Sequence, residues 1–288
     1  MSILSINSTY KTKTVDNSSV ELRLKKDGRF LVNGKHVQFT PISVLANRLN
    51  LETEYDKVVL VLRHSVRPLN DWSTNVELTD LGKYSASLAG KHLNGISTKF
   101  KYFSTDVVRT KQTAYLLYKG RNEANQIDDV ISSYANIPIT WQNNIYGLDF
   151  IKEDQKAKYE YYTSHDPITG KPKDNYHNVW YGYIYGTQDP LPENKDNIDH
   201  QYMDVFNDIT YECERFITTA LTATQKFSII VSHDQNVMPL VAYTTDYLIN
   251  FKKYGNGSWL NFLSGIAILQ KGQECSYIPI SGLATGYN

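Results

Sequence analysis

Lys57-Val58-Val59-Leu60-Val61-Leu62-Arg63-His64-Ser65-Val66-Arg67 is the stretch on which the reading of this chain turns. A short unbroken apolar run of this kind reads as a parallel strand buried on both faces. In open α/β sheets, ligands bind outside the carboxyl ends of such strands. Here that end delivers a histidine between two arginines. Packing gives no reason for two fixed cations around an imidazole, whereas a dianionic phosphate attacked by the histidine does. Taken alone, the motif is also compatible with a strand that runs into a solvated basic loop.

Two further segments share its grammar. Lys226-Phe-Ser-Ile-Ile-Val-Ser232-His233-Asp234-Gln-Asn236 is again a buried strand with a histidine at its end, followed at once by an acid and the opening of a helix. Lys101-Tyr-Phe-Ser104-Thr105-Asp106-Val-Val-Arg109 reads as a strand, an N-cap cluster and an arginine in the first helical turn. A helix N-terminus offers unpaired amides and a positive dipole end, so an arginine there adds to an anion site already half built. Three strand-end clusters of complementary chemistry predict one site.

Arg63-His64-Ser65-Val66-Arg67, Ser104-Thr105-Asp106-Val107-Val108-Arg109 and Ser232-His233-Asp234, with Leu78-Thr-Asp-Leu-Gly82 before a helix, resemble the histidine phosphatase superfamily. Within it they look most like the acid phosphatase and phytase branch. The likeness covers roughly residues 55–118 and 205–270. It implies an α/β fold like that of phosphoglycerate mutase, with a mostly parallel central sheet flanked by helices. It implies His64 as the nucleophile that becomes a phosphohistidine, and Arg63, Arg67, Arg109 and His233 as the phosphate-binding groups. Asp234 would protonate the leaving group and then help activate water. No metal or other cofactor is implied, and the expected partner is a small-molecule phosphomonoester. Phosphoryl transfer is mostly positioning and charge neutralisation, which guanidinium forks supply. A proton-donating aspartic acid needs a raised pKa or an acidic working pH, so the expected optimum is acidic.

Ser65 stands where the branch usually has glycine, and Leu69 where it usually has proline, with Pro68 one place earlier. A serine there would either crowd the phosphate loop or donate a hydrogen bond to it. Asp234 directly after the second histidine favours hydrolysis over one alternative, a phosphoryl transferase or mutase on the same fold, while the Ser65 and Leu69 departures motivate another, a phosphate-ester binder without turnover.

The 288 residues can hold one large α/β unit with an insertion. Lys plus Arg and Asp plus Glu number 30 each, so the net charge is zero and no global basic field points to nucleic acid or an anionic membrane. No apolar stretch is long enough to span a bilayer. The first residues show neither a charged n-region nor a long apolar core, which leaves the compartment open between cytoplasm and, for a mature chain, periplasm or exterior. Cys213 and Cys275 are the two cysteines, and their spacing leaves pairing open. Acceptor-like triplets at Asn7, Asn17 and Asn256 arise freely in an Asn- and Ser-rich chain.

Residues 1–50 are expected to form a β-meander, with turns at Asp27-Gly28 and Asn33-Gly34 and His36 on a surface strand. Residues 51–120 and 200–288 are expected to form the catalytic core. It would contain a helix from Thr79-Asp80, with Leu81, Tyr84, Leu88 and Leu93 at helical spacing, and another over about 202–222. The strands near 264–270 and 276–280 would pair antiparallel at the sheet's edge. Between them, 121–199 breaks the strand–helix alternation and is rich in Tyr, Asn, Asp and Pro, which suggests an inserted cap that shapes specificity. Most of its aromatics would build its own small core, and others would suit a sugar, nucleoside or inositol body. His165 and His177 there read as loop residues without a metal-ligand partner.

Overall fold

The computed structural model describes residues 40–45, 51–68, 71, 73–121, 149–166, 169–185, 204–222, 225–245, 247, 249, 251 and 259–283, and the backbone of 23–24, 29–32, 35–38, 46–48, 122, 139–141 and 223. In chain order the first elements are β1 (Arg23–Leu24), β2 (Arg29–Val32), β3 (Lys35–Gln38), β4 (Thr40–Pro41), α1 (Ile42–Arg48), α2 (Leu51–Glu54) and β5 (Lys57–Arg63). Then come α3 (Asp80–His92), β6 (Phe100–Ser104), α4 (Val108–Asn122), β7 (Ile139–Trp141), α5 (Lys156–Ser164) and α6 (Tyr176–Tyr185). The chain continues through α7 (Ile209–Ala223), β8 (Phe227–Ser232), α8 (Asp234–Thr244), β9 (Gly265–Lys271) and β10 (Glu274–Ser281). The expected turns at 27–28 and 33–34, the acceptor triplets, Leu69 and residues 142–148 lie outside the described residues.

Among the described residues the main sheet has the order β4-β10-β9-β5-β8-β6-β7. Strands β5, β8, β6 and β7 run parallel, and β9 is antiparallel to β5. This is the mostly parallel α/β sheet that the apolar runs predict. Alternate residues feed opposite layers. Val59, Val61, Ile230, Ile266 and Ile268 pack with α6, α7 and α8 on one face. Val58, Leu60, Leu62, Ile229, Val231 and Leu269 pack with α1, α3 and α4 on the other. Coverage on both faces is why these strands are continuously apolar instead of alternating.

β1, β2 and β3 pair as a separate antiparallel sheet. The chain then enters the main sheet, since β4 pairs in parallel with β10. The β9–β10 hairpin is antiparallel as expected but is not at the edge, because β4 covers its outer side. Two residues are too few to leave a period-2 signature, so this strand is invisible in the sequence.

Helix α3 begins at Asp80 with Thr79 as N-cap, its hydroxyl accepting from Gly82 N at 3.1 Å. Its buried face differs from the one its large apolar residues predict. Leu81, Tyr84 and Leu88 are exposed by 54, 55 and 38 %, while Gly82, Ser85, Ala86, Ala89 and Gly90 are buried. The cause is the crossing with α4. A Cβ at Gly90 would lie 2.2 Å from Leu117 O, and one at Gly120 would lie 1.9 Å from Ser87 O. Backbones this close admit only small side chains, so the bulky ones are turned outward. Helix α7 starts at Ile209 and not near 202, because Phe206 bridges to Ile151 instead of entering a helical turn.

Cys213 and Cys275 are buried free thiols. No helix among the described residues is long and apolar enough to cross a membrane.

Candidate active site

Strand β8 lies between β5 and β6, and all three point the same way, so their carboxyl ends gather the sequence-predicted residues. His64 follows β5, His233 caps α8 directly after β8, and Arg109 sits in the first turn of α4 after β6. Backbone bonds fix the first of these: His64 N donates to Ser232 O at 2.9 Å, and Arg63 N to Ser264 O at 2.8 Å.

His64 is 2 % exposed. Its Nδ1 lies 2.7 Å from Ser65 O. A carbonyl only accepts, so Nδ1 carries the proton and Nε2 is left with its lone pair. Arg109 Nε approaches that Nε2 at 3.3 Å. Burial first, and then Arg63, His233 and Arg109, push the His64 pKa well below the ordinary imidazole value. The ring is neutral, as a nucleophilic imidazole must be.

Arg63 is fully buried. Its guanidinium lies 4.1 Å over the Phe262 ring, donates to Leu260 O, and pairs with Asp234 Oδ2 at 3.1 Å. Arg67 Nη1 donates to Pro68 O at 2.7 Å and Asp71 O at 3.1 Å. Arg109 Nη1 donates to Ser73 O at 2.9 Å. Burial, and then Arg67, lower Arg109 to about 10, which leaves it charged at neutral pH.

His233 is 5.5 Å from His64 between ring centroids. Its Nε2 lies 3.0 Å from Thr105 Oγ1, which in turn is 2.7 Å from Thr110 Oγ1. Burial and Arg109 lower His233 to about 4 against the pull of Asp234. Asp234 has partners on both oxygens: Gln235 N donates to Oδ1 at 2.9 Å, and Trp259 Nε1 to Oδ2 at 2.8 Å. Burial favours its neutral form, but Arg63, the indole and His64 outweigh that and hold it below the usual carboxylate range. The free site therefore holds Asp234 as a carboxylate, not as the acid with a raised pKa that proton donation would call for.

All six predicted residues thus lie in one cluster, a patch of three guanidiniums and one carboxylate around two neutral imidazoles. The Ser65 hydroxyl neither crowds it nor bonds to it: it donates to Gly82 O at 2.8 Å, tying the loop to α3. Among the described residues no group of three His, Cys, Asp or Glu side chains could hold a metal ion.

Sequence reasoning missed the turn 259–264. It brings Trp259, Leu260 O and the Phe262 ring to Asp234 and Arg63. Leu263 takes φ 60° to make it, a conformation costing about 1–2 kcal/mol for a residue other than glycine. Nor is His177 a loop residue. It lies on α6 with its ring 4.4 Å from that of Trp259, close enough for Asp234 and Arg63 to act on its titration. His165, by contrast, follows α5 and stacks on Tyr161, remote from the cluster in its contacts. Beside His233, a cavity of about 330 Å³ opens between Thr105, Asp149, Phe150, Trp180 and Gln235.

No family model and no curated protein matches the sequence. Among solved structures, the chain is similar to a phosphoglycerate mutase from Bacillus anthracis str. Sterne, at 14 % identity over 81 % of this chain and 95 % of that one, with a TM-score of 0.42. It is also similar to a mycobacterial glucosyl-3-phosphoglycerate phosphatase in complex with VO3, at 11 % identity over 77 % and 97 % of the two chains and a TM-score of 0.43. A protein histidine phosphatase complexed with tungstate gives 12 % identity, 78 % and 96 % coverage and a TM-score of 0.35. At these values the likeness carries no activity across to this chain.

Proposed function

We propose that this chain is a metal-independent phosphomonoester hydrolase of the histidine phosphatase superfamily, working through a phosphohistidine at His64. The observation that carries the reading is the His64 tautomer inside the arginine cluster. Its Nδ1 proton is fixed on Ser65 O, so Nε2 keeps its lone pair, which accepts from Arg109 Nε at 3.3 Å until a phosphate takes the guanidinium. Arg63, Arg67 and Arg109, with His233, would hold the non-bridging oxygens and neutralise their charge as it builds.

In the first step His64 Nε2 attacks phosphorus, the bond from phosphorus to the ester oxygen breaks, and the alcohol leaves with a proton from Asp234. In the second, water attacks phosphorus, the nitrogen–phosphorus bond breaks, and Asp234 takes the water's proton. Because Asp234 is a carboxylate in the free site, its proton must arrive with the substrate, when a dianion occupies the arginines that otherwise face it, or from an acidic medium. Either route supports an acidic optimum. An acid beside the second histidine favours hydrolysis over transfer. We assign 121–199 the substrate-shaping role, with the cavity beside His233 as room for the alcohol.

The test is hydrolysis of p-nitrophenyl phosphate from about pH 4 to about pH 8 with excess chelator, a range that spans the carboxylate and imidazole titrations. Activity that survives the chelator and disappears in His64→Ala supports the reading. Activity that needs a metal, or that His64→Ala retains, overturns it.

A further inference from the structure

We propose that Trp259 is a positioning residue for Asp234, and that the proton used in the reaction sits on Asp234 Oδ1. The inference rests on the reading of Asp234 as the acid. A carboxylate oxygen has two lone-pair directions. On Oδ2, the indole N–H of Trp259 donates at 2.8 Å, and the guanidinium of Arg63 stands beside the same oxygen as an ion pair at 3.1 Å. Neither group can accept, so a proton on Oδ2 would meet a donor and a fixed cation and find no partner. Oδ1 receives one donor, Gln235 N at 2.9 Å, which leaves its second direction for the proton.

The indole is itself fixed. Trp259 is 4 % exposed, and its ring meets those of Tyr176, His177 and Tyr181 at 5.7, 4.4 and 5.5 Å. All three belong to α6, within the insertion. Tyr176 also donates to Gln235 Oε1 at 3.2 Å, the residue whose amide holds Oδ1. The insertion therefore grips both oxygens of Asp234 indirectly, one through the indole and one through Gln235. Seating of α6 on the core is in this way tied to the aim of the acid. The cations that face Asp234 are Arg63 from β5, Arg67 from the loop after it, and Arg109 from α4. The neutral titratable groups that face it are His64, His233, Tyr159, Tyr176 and His177.

The experiment is the pH dependence of turnover for an alkyl phosphate, whose poor leaving group needs the acid, in wild type, Trp259→Phe and Asp234→Asn. Phenylalanine keeps a ring against α6 and removes the donor. Loss of a hydrogen bond to a charged group should move the alkaline limb up by about one pH unit, whatever happens to the plateau. Asp234→Asn should abolish that limb. A limb in Trp259→Phe that superimposes on wild type, with the rate lowered equally at every pH, overturns the inference while leaving Asp234 as the acid. A limb that persists in Asp234→Asn removes the acid reading itself. Should Trp259→Phe not fold, the wild type still decides. With the site filled by inorganic phosphate, the nitrogen-15 indole resonance that Asp234→Asn displaces must titrate with the alkaline limb, and a resonance constant across it overturns the inference.

Discussion

Replacing Arg63 with methionine exposes the electrostatic logic of the cluster. The guanidinium is wholly buried, and its charge is met by Asp234 at 3.1 Å. Methionine roughly fills the space beside Phe262 but leaves Asp234 a carboxylate without its nearest cation. Removing one partner of a buried ion pair costs about 3–5 kcal/mol. Trp259 and Gln235 N still solvate the carboxylate, which places the expected loss at neutral pH near the lower figure, about 3 kcal/mol.

The sign of the pH dependence follows from the titrations. In the wild type the pKa of Asp234 is depressed, so its contribution is present above the unfolded carboxylate value and lost as pH falls through the folded one. In Arg63→Met, burial is opposed by less, the acid protonates more readily, and the penalty is relieved on acidification. Arg63 also holds down the pKa values of His64 and His233, so its loss eases their protonation in the same direction. The difference between the proteins should therefore shrink from about 3 kcal/mol at pH 7 as the pH falls to about 4, where Asp234 of the variant takes up a proton that the wild-type ion pair still excludes. Urea unfolding at both pH values measures it. A loss equal at the two values refutes the ion pair as the cause.

Other expectations are simpler to test. Wild-type stability should fall as pH drops from about 6.5 to about 4, because buried neutral His64 and His233 resist protonation while the unfolded chain does not; a flat calorimetric profile over that window contradicts it. Gly120→Ala should destabilise by about 1–3 kcal/mol in chemical denaturation, since the new Cβ meets backbone at Ser87 O, and should weaken phosphate binding because α4 carries Arg109; unchanged stability would refute the close crossing. Ser65→Gly should cost about 1 kcal/mol through the lost bond to Gly82 O, with the pH optimum unmoved; a shifted optimum would mean that the hydroxyl reaches the phosphate.

What was legible in the sequence is local. The runs ending at His64 and His233 declare buried parallel strands because coverage on both faces leaves no polar alternation, and the charged residues at their ends stand out against it. Four features are not local. The packing face of α3 is set by backbone contact with α4 at Gly90 and Gly120, which outweighs the burial of Leu81, Tyr84 and Leu88. α6 is buried continuously from Val179 to Tyr185, so it shows no helical period, and His177 at its start reads as loop. Trp259 reaches Asp234 from a turn without a motif, and only the chemistry of a lone indole donor in a polar stretch could have drawn attention to it. The state of Asp234 depends on Arg63, a pairing that only the adjacency of β5 and β8 creates.

The most direct test of the central claim is to mix the protein with a phosphomonoester, quench during turnover in alkali, where phosphohistidine survives, and map the phosphate by mass spectrometry. A phosphohistidine intermediate puts phosphate on the peptide that contains His64, and none in His64→Ala. Sustained turnover with no phosphate on His64, or phosphate on another residue, would contradict it.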